Sequence, residues 1–391
     1  MVQASCASDQ HGAVQACKGV ADLAKATSKL SVESDDRLKQ DILQAALSLQ
    51  QHGWAKIEGV LPVEFCQQYV SSVWDWLESL GTGISRNDPA TWDQTRWPPS
   101  FRGIVNTLEV SHQDFVWQVR KHPRVVQVFA ELWGTNELLT SFDSINICKP
   151  GAIDDAAPSW LHTDQSPTRR GIVCVQGLLN MVDVSAETTG TLVVKDGSHR
   201  AHEGFFSNNT VLTPEEKAAT PDFYQFKEAE LPFWEHFQSL ALSAGAGSLF
   251  LWDSRTVHQN CLSPKDSNQW RHVVYCCYQD RSLATPRDLE LKRLAWDEYR
   301  VTTHWPAMNI KLFPTLGEDY YKKVHRESPK AGEEPHYQIR RTRFNVEDPT
   351  LLRLAGAKPY PRTEVWRRQP LLHMEQEDLQ QLITVGMNQS A

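Results

Sequence analysis

The chain is organised around Trp160-Leu161-His162-Thr163-Asp164-Gln165, a His-x-Asp pair set between a loop and a β-rich run. In an extended segment, residues two apart face the same side, so His162 and Asp164 present an imidazole and a carboxylate together. An isolated pair of this kind is more simply explained as a surface turn. Its setting strengthens it, because two apolar residues precede it and the apolar run 172–175 follows it.

A further histidine, His258, ends the segment 247–258, which starts at a glycine and is largely apolar. A histidine at the end of such a strand can lean into the mouth of a barrel, although alone it is better explained as a packed core or surface histidine. Two histidines and one carboxylate are the facial ligand set that holds non-heme Fe(II) with coordination positions left open. The sequence therefore predicts a catalytic metal centre formed by His162, Asp164 and His258.

An arginine, Arg271, opens the apolar run 271–278. A guanidinium at the start of a buried strand needs an anionic partner. The carboxylate of a cosubstrate would supply one through a two-pronged, charge-assisted pair of hydrogen bonds. An internal salt bridge to one of the chain's own carboxylates is the alternative.

The bulk properties are those of a soluble globular protein. The chain has 391 residues, enough for one large β domain with added helices, and a formal charge of 40 − 48 = −8. An acidic balance argues against nucleic acid or an anionic membrane as the main partner. The sequence has no apolar window long enough for a transmembrane helix and no apolar segment of a secretory signal. Eight scattered cysteines without C-x-x-C spacing favour reduced thiols, so we predict a cytoplasmic protein.

Periodicity divides the chain into a flexible arm (1–34), a mainly β domain with helical decoration (35–315) and a C-terminal extension packed on it (316–391). Within the domain a polar and aromatic insertion occupies 204–240, with helical patterns at 213–219 and 230–239. Helical patterns cover 35–52, 63–80, 285–300 and about 112–133, the last interrupted by Pro123. Strand patterns cover 54–61, 144–149, 172–183, 191–194, 248–252 and 271–278.

Three polar or aromatic features outside the metal motif are weaker candidates for substrate contact. The first is the aromatic and basic loop 96–103, with Trp97 and Arg102, for which a packed surface loop is the favoured explanation. Arg255 beside the His258 strand would suit an anionic substrate and would equally suit a structural ion pair. His304 lies next to a tryptophan, and a packed connection is favoured over substrate contact.

Several motifs, in order, resemble the phytanoyl-CoA dioxygenase superfamily. They are the 51–61 segment, His162-Thr163-Asp164, the Gly-Thr-Leu…Gly-Ser-His signature at 190–199, the 251–258 segment and then Arg271. One departure is Lys195-Asp196, where the family usually has a proline before Gly-Ser-His. Since this is a turn, the departure leaves the metal ligands in place.

The resemblance implies a double-stranded β-helix, a jelly-roll barrel of the cupin type. It also implies Fe(II) bound by His162, Asp164 and His258, and 2-oxoglutarate bound by Arg271. Further cosubstrate contacts are expected from Gln176, Asn146 and Asn260, whereas the signature histidine, His199, is expected to be structural. O2 is the other cosubstrate, and ascorbate helps to keep the iron reduced.

The activity implied is the oxidation of a C–H bond, usually to a hydroxyl, with release of succinate and CO2. A small-molecule substrate is expected. Three alternatives stay open: a catalytically silent barrel that binds a ligand or partner, a nucleobase-modifying oxygenase, and a zinc hydrolase with the same ligands. The acidic charge argues against the nucleobase substrate, which needs a basic phosphate-gripping surface.

Overall fold

A computed structural model describes residues 36–153, 159–208, 212–313, 337–338 and 347–389. The predicted arm 1–34 lies outside these residues, as does the loop 154–158 that leads to the His-x-Asp pair. The strands are β1 (Trp54–Ile57), β2 (Ile104–Val105), β3 (Leu138–Thr140), β4 (Ile145–Cys148), β5 (His162–Thr163), β6 (Val175–Asn180), β7 (Leu192–Lys195), β8 (Tyr224–Gln225), β9 (Ser239–Ala241), β10 (Leu249–Asp253), β11 (His258–Asn260) and β12 (Arg271–Asp280).

The strands form two antiparallel sheets. The larger has the order β1-β10-β6-β12-β4-β2, with β3 also paired to β12, and the smaller has the order β8-β5-β11-β7-β9. From β4 to β12 the chain crosses repeatedly between them. Strands β4, β6, β10 and β12 belong to the larger sheet, whereas β5, β11 and the consecutive strands β7, β8 and β9 belong to the smaller. The described strands thus form two sheets rather than one closed barrel.

Strand β10 has an uninterrupted apolar sequence because both of its faces are buried. Successive side chains point to opposite faces of a sheet. Leu249 and Leu251 belong to the large core shared with the helices, whereas Phe250 and Trp252 pack in the cluster that contains residues of both sheets. Both faces of β10 are buried, so neither needs polar residues.

Helices cover the outer face of the larger sheet. Helix Pro123–Trp133 shows the sequence signals well: proline occupies its first turn, where no N–H partner is needed, and Gly134 ends it in the left-handed region with φ +66°. The helices described are 36–52, Val63–Ser79, Asp114–Arg120, Pro123–Trp133, His202–Asn208, Pro214–Ala219, Leu231–Trp234, Pro286–Asp297, Pro349–Leu354 and Gln376–Gln389. None of these described helices combines the length and apolarity needed to cross a bilayer.

The C-terminal part of the chain packs on this helical layer. Leu351, Leu354, Leu372 and Leu379 are buried in the same core as the N-terminal helices. Backbone pairing adds to the contact, since the N–H of Arg368 donates to the carbonyl of Gly134. The domain boundaries at 35 and 315 remain a prediction, because 314–336 and 339–346 lie outside the described residues.

Candidate metal centre

The three predicted ligands lie together at the start of two paired strands. His162 on β5 stands directly opposite His258 on β11, and their ring centroids are 4.2 Å apart. Asp164 follows β5, and its N–H donates to the carbonyl of Ser254 at 2.9 Å. The carboxylate Oδ2 lies 3.8 Å from Nε2 of His162 and 3.2 Å from Nε2 of His258. One ligand atom from each residue lies within 4.8 Å of the other two, so all three can reach one ion.

Backbone carbonyls fix both imidazoles in the form that a metal needs. The Nδ1 of His162 donates to the carbonyl of Trp160, and the Nδ1 of His258 donates to that of Thr256, each at 2.9 Å. Because a carbonyl only accepts, each Nδ1 carries the hydrogen and each Nε2 presents its lone pair towards Asp164. Such an outer hydrogen bond is the usual support of a metal-ligating histidine.

The electrostatics favour a neutral His162 beside an ionised Asp164. Burial lowers the pKa of His162 to about 4, and the neighbouring His258 adds to the effect. Burial alone would raise the pKa of Asp164, but the neighbouring rings of His304, His162 and His258 together bring that pKa well below its usual value. The site therefore holds one buried negative charge, which suits a divalent cation.

Gln176 holds the carboxylate ligand in place. Its Nε2 donates to Oδ2 of Asp164 at 2.8 Å, and both side chains are buried. Gln176 was predicted as a cosubstrate contact, and it also lines the cavity described below. The observed hydrogen bond gives Gln176 a second role, which is to orient the carboxylate of Asp164.

The Gly-Ser-His signature fixes the start of β11. The N–H of Val257 donates to Oγ of Ser198 at 2.9 Å, next to His258. The Nε2 of His199 lies 3.1 Å from the carbonyl of Gln50, which ties the same turn to the N-terminal helix. These contacts agree with the structural role predicted for His199.

A cavity of about 450 Å³ opens beside the triad and reaches Arg271. Arg271 is 1% exposed, and among the described residues its Nε and Nη1 find no hydrogen-bond partner. A buried guanidinium with two unsatisfied N–H groups is costly unless an anion enters. No described carboxylate forms the internal salt bridge that was the alternative, so the site fits a cosubstrate carboxylate.

Two predicted contacts, Asn146 and Asn260, converge on Arg102. The Nδ2 groups of Asn146 and Asn260 both donate to the carbonyl of Arg102, at 3.1 and 3.0 Å. The Nε of Arg102 donates to Oδ1 of Asn260 at 3.1 Å, and its guanidinium lies 5.4 Å from the ring centroid of Trp160. Asn260 also lines the cavity, whereas the residues that line it do not include Asn146. Asn146 therefore holds the backbone at Arg102 without itself lining the cavity.

Two candidates for substrate contact lie elsewhere. Trp97 is buried against Trp74 and Trp270, because its large ring is better satisfied in the apolar core than in solvent. Arg255 forms an ion pair with the buried Asp253, 2.6 Å between Nη2 and Oδ2, which is the structural alternative considered for it. Neither residue is among those that line the cavity, so neither is placed to contact a substrate there.

Sequence reasoning missed several residues that line the cavity, namely Tyr275, Asp143, Phe101 and Phe223, and it underrated His304. Tyr275 had a usable signal, because it follows Arg271 by four positions on one strand and so shares its face. Burial raises the pKa of Tyr275 to about 12, which keeps its hydroxyl protonated. The others reach the cavity from loops, and local periodicity carries no signal for them.

Similar proteins are known both by sequence and by structure. No family model matches the chain. Protein O of the Ava biosynthesis cluster of Aspergillus versicolor is 35% identical over 254 residues, which is 64% of this chain and 82% of that protein. A Dictyostelium discoideum protein provisionally named phytanoyl-CoA dioxygenase is 22% identical over 251 residues, 54% of this chain and 68% of that one.

Among solved structures, the GlcNAc-inducible gene 2 protein of Candida albicans aligns with a TM-score of 0.52 at 15% identity. The alignment covers 89% of this chain and 82% of that one, and at this identity it shows a shared fold alone. Family membership rests instead on the sequence relatives and on the motifs that the structure brings together. The chain belongs to the phytanoyl-CoA dioxygenase-like superfamily of Fe(II)/2-oxoglutarate-dependent oxygenases.

Proposed function

We propose that this oxygenase hydroxylates a C–H bond of a small molecule. The reaction consumes 2-oxoglutarate and O2 and releases succinate and CO2, with one oxygen atom entering the product and the other entering succinate. One observation carries the proposal: a buried His-Asp-His cluster and a buried arginine without a described partner face the same cavity. A silent barrel would need neither group.

We also propose that the two sheets form the double-stranded β-helix expected of the superfamily. The repeated crossing of the chain between the sheets from β4 to β12 supports it, as does the mixed cluster in which Leu178 and Phe250 of one sheet meet Leu192 and Val194 of the other. The ligands then lie at one end of the barrel, where β5 and β11 begin.

The proposed roles of this chain's residues follow from their contacts. His162, Asp164 and His258 would hold the iron, and Gln176 would keep the carboxylate turned towards it. Arg271 would bind the distal carboxylate of 2-oxoglutarate, with the Tyr275 hydroxyl lining the same cavity. When bound, iron with 2-oxoglutarate and O2 supplies the oxidant that removes a hydrogen atom from the substrate carbon.

The cavity wall excludes water and positions the substrate. The apolar side chains Leu178, Leu192 and Trp252 line it beside the triad. A nucleobase in DNA or RNA would need a basic phosphate-gripping rim. The cationic side chains among the described residues that line the cavity are Arg271 and Lys311, which favours a small molecule over a nucleic acid.

Release of succinate from 2-oxoglutarate tests this proposal. The purified chain is supplied with Fe(II), ascorbate and O2, with and without a pool of metabolites, beside His162→Ala and Arg271→Ala. Iron-dependent succinate is expected from the wild type and should fall at least about a hundredfold in both variants, since each loses a group that the reaction needs. His236→Ala and Arg293→Ala, at exposed positions away from the cavity, serve as matched controls. An absence of succinate, together with no iron-dependent binding of 2-oxoglutarate, would favour the silent barrel.

A further inference from the structure

An aromatic wall runs from the metal ligands to the mouth of the cavity. The ring of Trp160 lies 4.5 Å from that of His162, and Phe223 lies 5.1 Å from His162 on the way out. Phe101 packs edge-on against Trp160 at 5.3 Å. Phe101 and Phe223 are 57% and 44% exposed, although both line the cavity. Exposed aromatic rings grouped at the mouth of an apolar cavity indicate a surface that a flat ligand covers.

Two polar groups face the same cavity without satisfying each other. Asp143 Oδ1 accepts hydrogen bonds from the N–H and the hydroxyl of Ser144, whereas Oδ2 receives none from the described residues. The Nε2 of His304 is buried and likewise has no partner within the described part of the chain. The two side chains form no ion pair within 4.0 Å. The unmade hydrogen bond of the buried His304 Nε2 is costly, and Asp143 Oδ2 is an acceptor without a described donor, so a ligand group that both donates and accepts is expected to bind between them.

The charges of the cavity favour an uncharged ligand. Of its two described cations, Arg271 would bind the cosubstrate and the side chain of Lys311 is exposed to solvent. Asp222 is already satisfied by the guanidinium of Arg169 at 2.8 Å and by the amide of Asn309. The described lining therefore lacks the cluster of basic groups that binds the phosphates of a coenzyme A thioester.

Resting on the proposed oxygenase function, we propose that the substrate is an uncharged, planar aromatic molecule with one hydroxyl or N–H group. Its ring system packs against Phe101, Trp160 and Phe223, and its polar group is bound by Asp143 and His304. Asp143 and His304 are then specificity-determining residues. They fix the orientation of the ring and so select the C–H bond that faces the metal centre.

Three probes test the substrate class: 2-naphthol, 2-methoxynaphthalene and lauroyl-CoA. Binding is measured by calorimetry under nitrogen to the protein loaded with Fe(II) and 2-oxoglutarate. We expect 2-naphthol to bind at least about tenfold more tightly than its methyl ether, because only the hydroxyl can donate to a carboxylate. Lauroyl-CoA should bind more weakly than 2-naphthol. Equal affinity for the two naphthalenes, or tighter binding of lauroyl-CoA, would overturn the proposal.

Substitutions test the aromatic wall and the polar pair of Asp143 and His304 separately. Phe223→Ala should weaken both naphthalenes about tenfold, whereas Phe233→Ala should leave both unchanged. Phe233 is a matched control because it lies in the same insertion and is 42% exposed, yet it does not line the cavity. Asp143→Asn keeps the shape and should remove the preference for 2-naphthol over its ether. Unchanged binding in Phe223→Ala, or an unchanged preference in Asp143→Asn, would contradict the assignment.

Succinate release by the wild type without any probe separates the two proposals. If succinate forms in an iron-dependent manner and 2-naphthol is not preferred, the substrate class is wrong and the oxygenase function stands. If 2-oxoglutarate neither binds nor is converted, the oxygenase function itself fails, and with it the substrate class.

Discussion

At the scale of single residues, the hydrogen bond from Gln176 to Asp164 is a sensitive point of the metal centre. Gln176→Leu keeps the size of the side chain but leaves Asp164 free to turn. We expect a ten- to a hundredfold loss of Fe(II) affinity, the usual effect of removing an outer partner of a metal ligand. Calorimetric titration with Fe(II) under nitrogen measures it. Gln67→Leu, at an exposed position, is the control, and equal affinities in the two variants would show that Gln176 has no such role.

Another residue, His272, makes the stability of the fold depend on pH. Burial lowers its pKa to about 4, and neither ring nitrogen has a partner among the described residues. In the unfolded chain its pKa is about 6.5, so between pH 6.5 and 4 the unfolded state binds the extra proton. Its contribution is present above pH 6.5 and is lost as the pH falls through this window, by up to about 3 kcal/mol.

Urea denaturation between pH 7 and pH 4 measures this effect in the wild type and in His272→Phe. The variant should lose less stability than the wild type over the same interval, because its buried ring cannot take up a proton. Parallel losses in both proteins would show that other groups carry the pH dependence. His112 and His202, whose pKa values are also lowered by burial, contribute to the remaining slope in both.

The residues that the sequence revealed are those that share a local pattern. His162 and Asp164 were found because two positions on an extended chain share a face, and Arg271 because it opens an apolar strand. His304 and Phe223 reach the same cavity from loops, so only tertiary structure brings them to the triad. Trp97 shows the converse, since an aromatic residue in a loop can belong to the core.

At the scale of elements, the Gly-Ser-His turn is expected to control the position of β11. Ser198→Ala leaves the buried N–H of Val257 without its acceptor, one residue before His258. An unsatisfied buried donor costs about 1–3 kcal/mol, so we expect that loss in the free energy of unfolding together with weaker Fe(II) binding. Urea denaturation and metal titration measure the two effects. Loss of stability with unchanged Fe(II) affinity would limit the role of the turn to folding.

Elements with a clear local pattern were predicted from the sequence, whereas the two-residue strands were not. The helix predicted over 63–80 is Val63–Ser79, and the strand predicted over 271–278 is Arg271–Asp280, because their periodicity extends over many residues. The predicted helix over 230–239 is only Leu231–Trp234, and β9 begins at Ser239 instead. Strand β8 has two residues and depends on pairing with the distant β5, which no local pattern encodes.

At the scale of the whole molecule, the C-terminal segment 347–389 is expected to fold as one unit with the body. Leu379 is 0% exposed in the main core, whereas Leu382 in the same helix is 42% exposed. Leu379→Ala should lower the free energy of unfolding by about 2–5 kcal/mol, and Leu382→Ala by less than about 1 kcal/mol. Urea denaturation should show a single transition in each protein. A separate transition for the variant would mean that the extension is an independent unit.

The metal and the cosubstrate are expected to bind in an ordered, interdependent way, and calorimetric titration of 2-oxoglutarate under nitrogen tests this most directly. One equivalent should bind to the wild type loaded with Fe(II), and His162→Ala should bind far less because the metal is lost. Arg271→Ala should retain Fe(II) but bind 2-oxoglutarate at least about a hundredfold more weakly, since it loses a two-pronged charged pair. Binding of 2-oxoglutarate that is independent of both Fe(II) and Arg271 would contradict the account of this site.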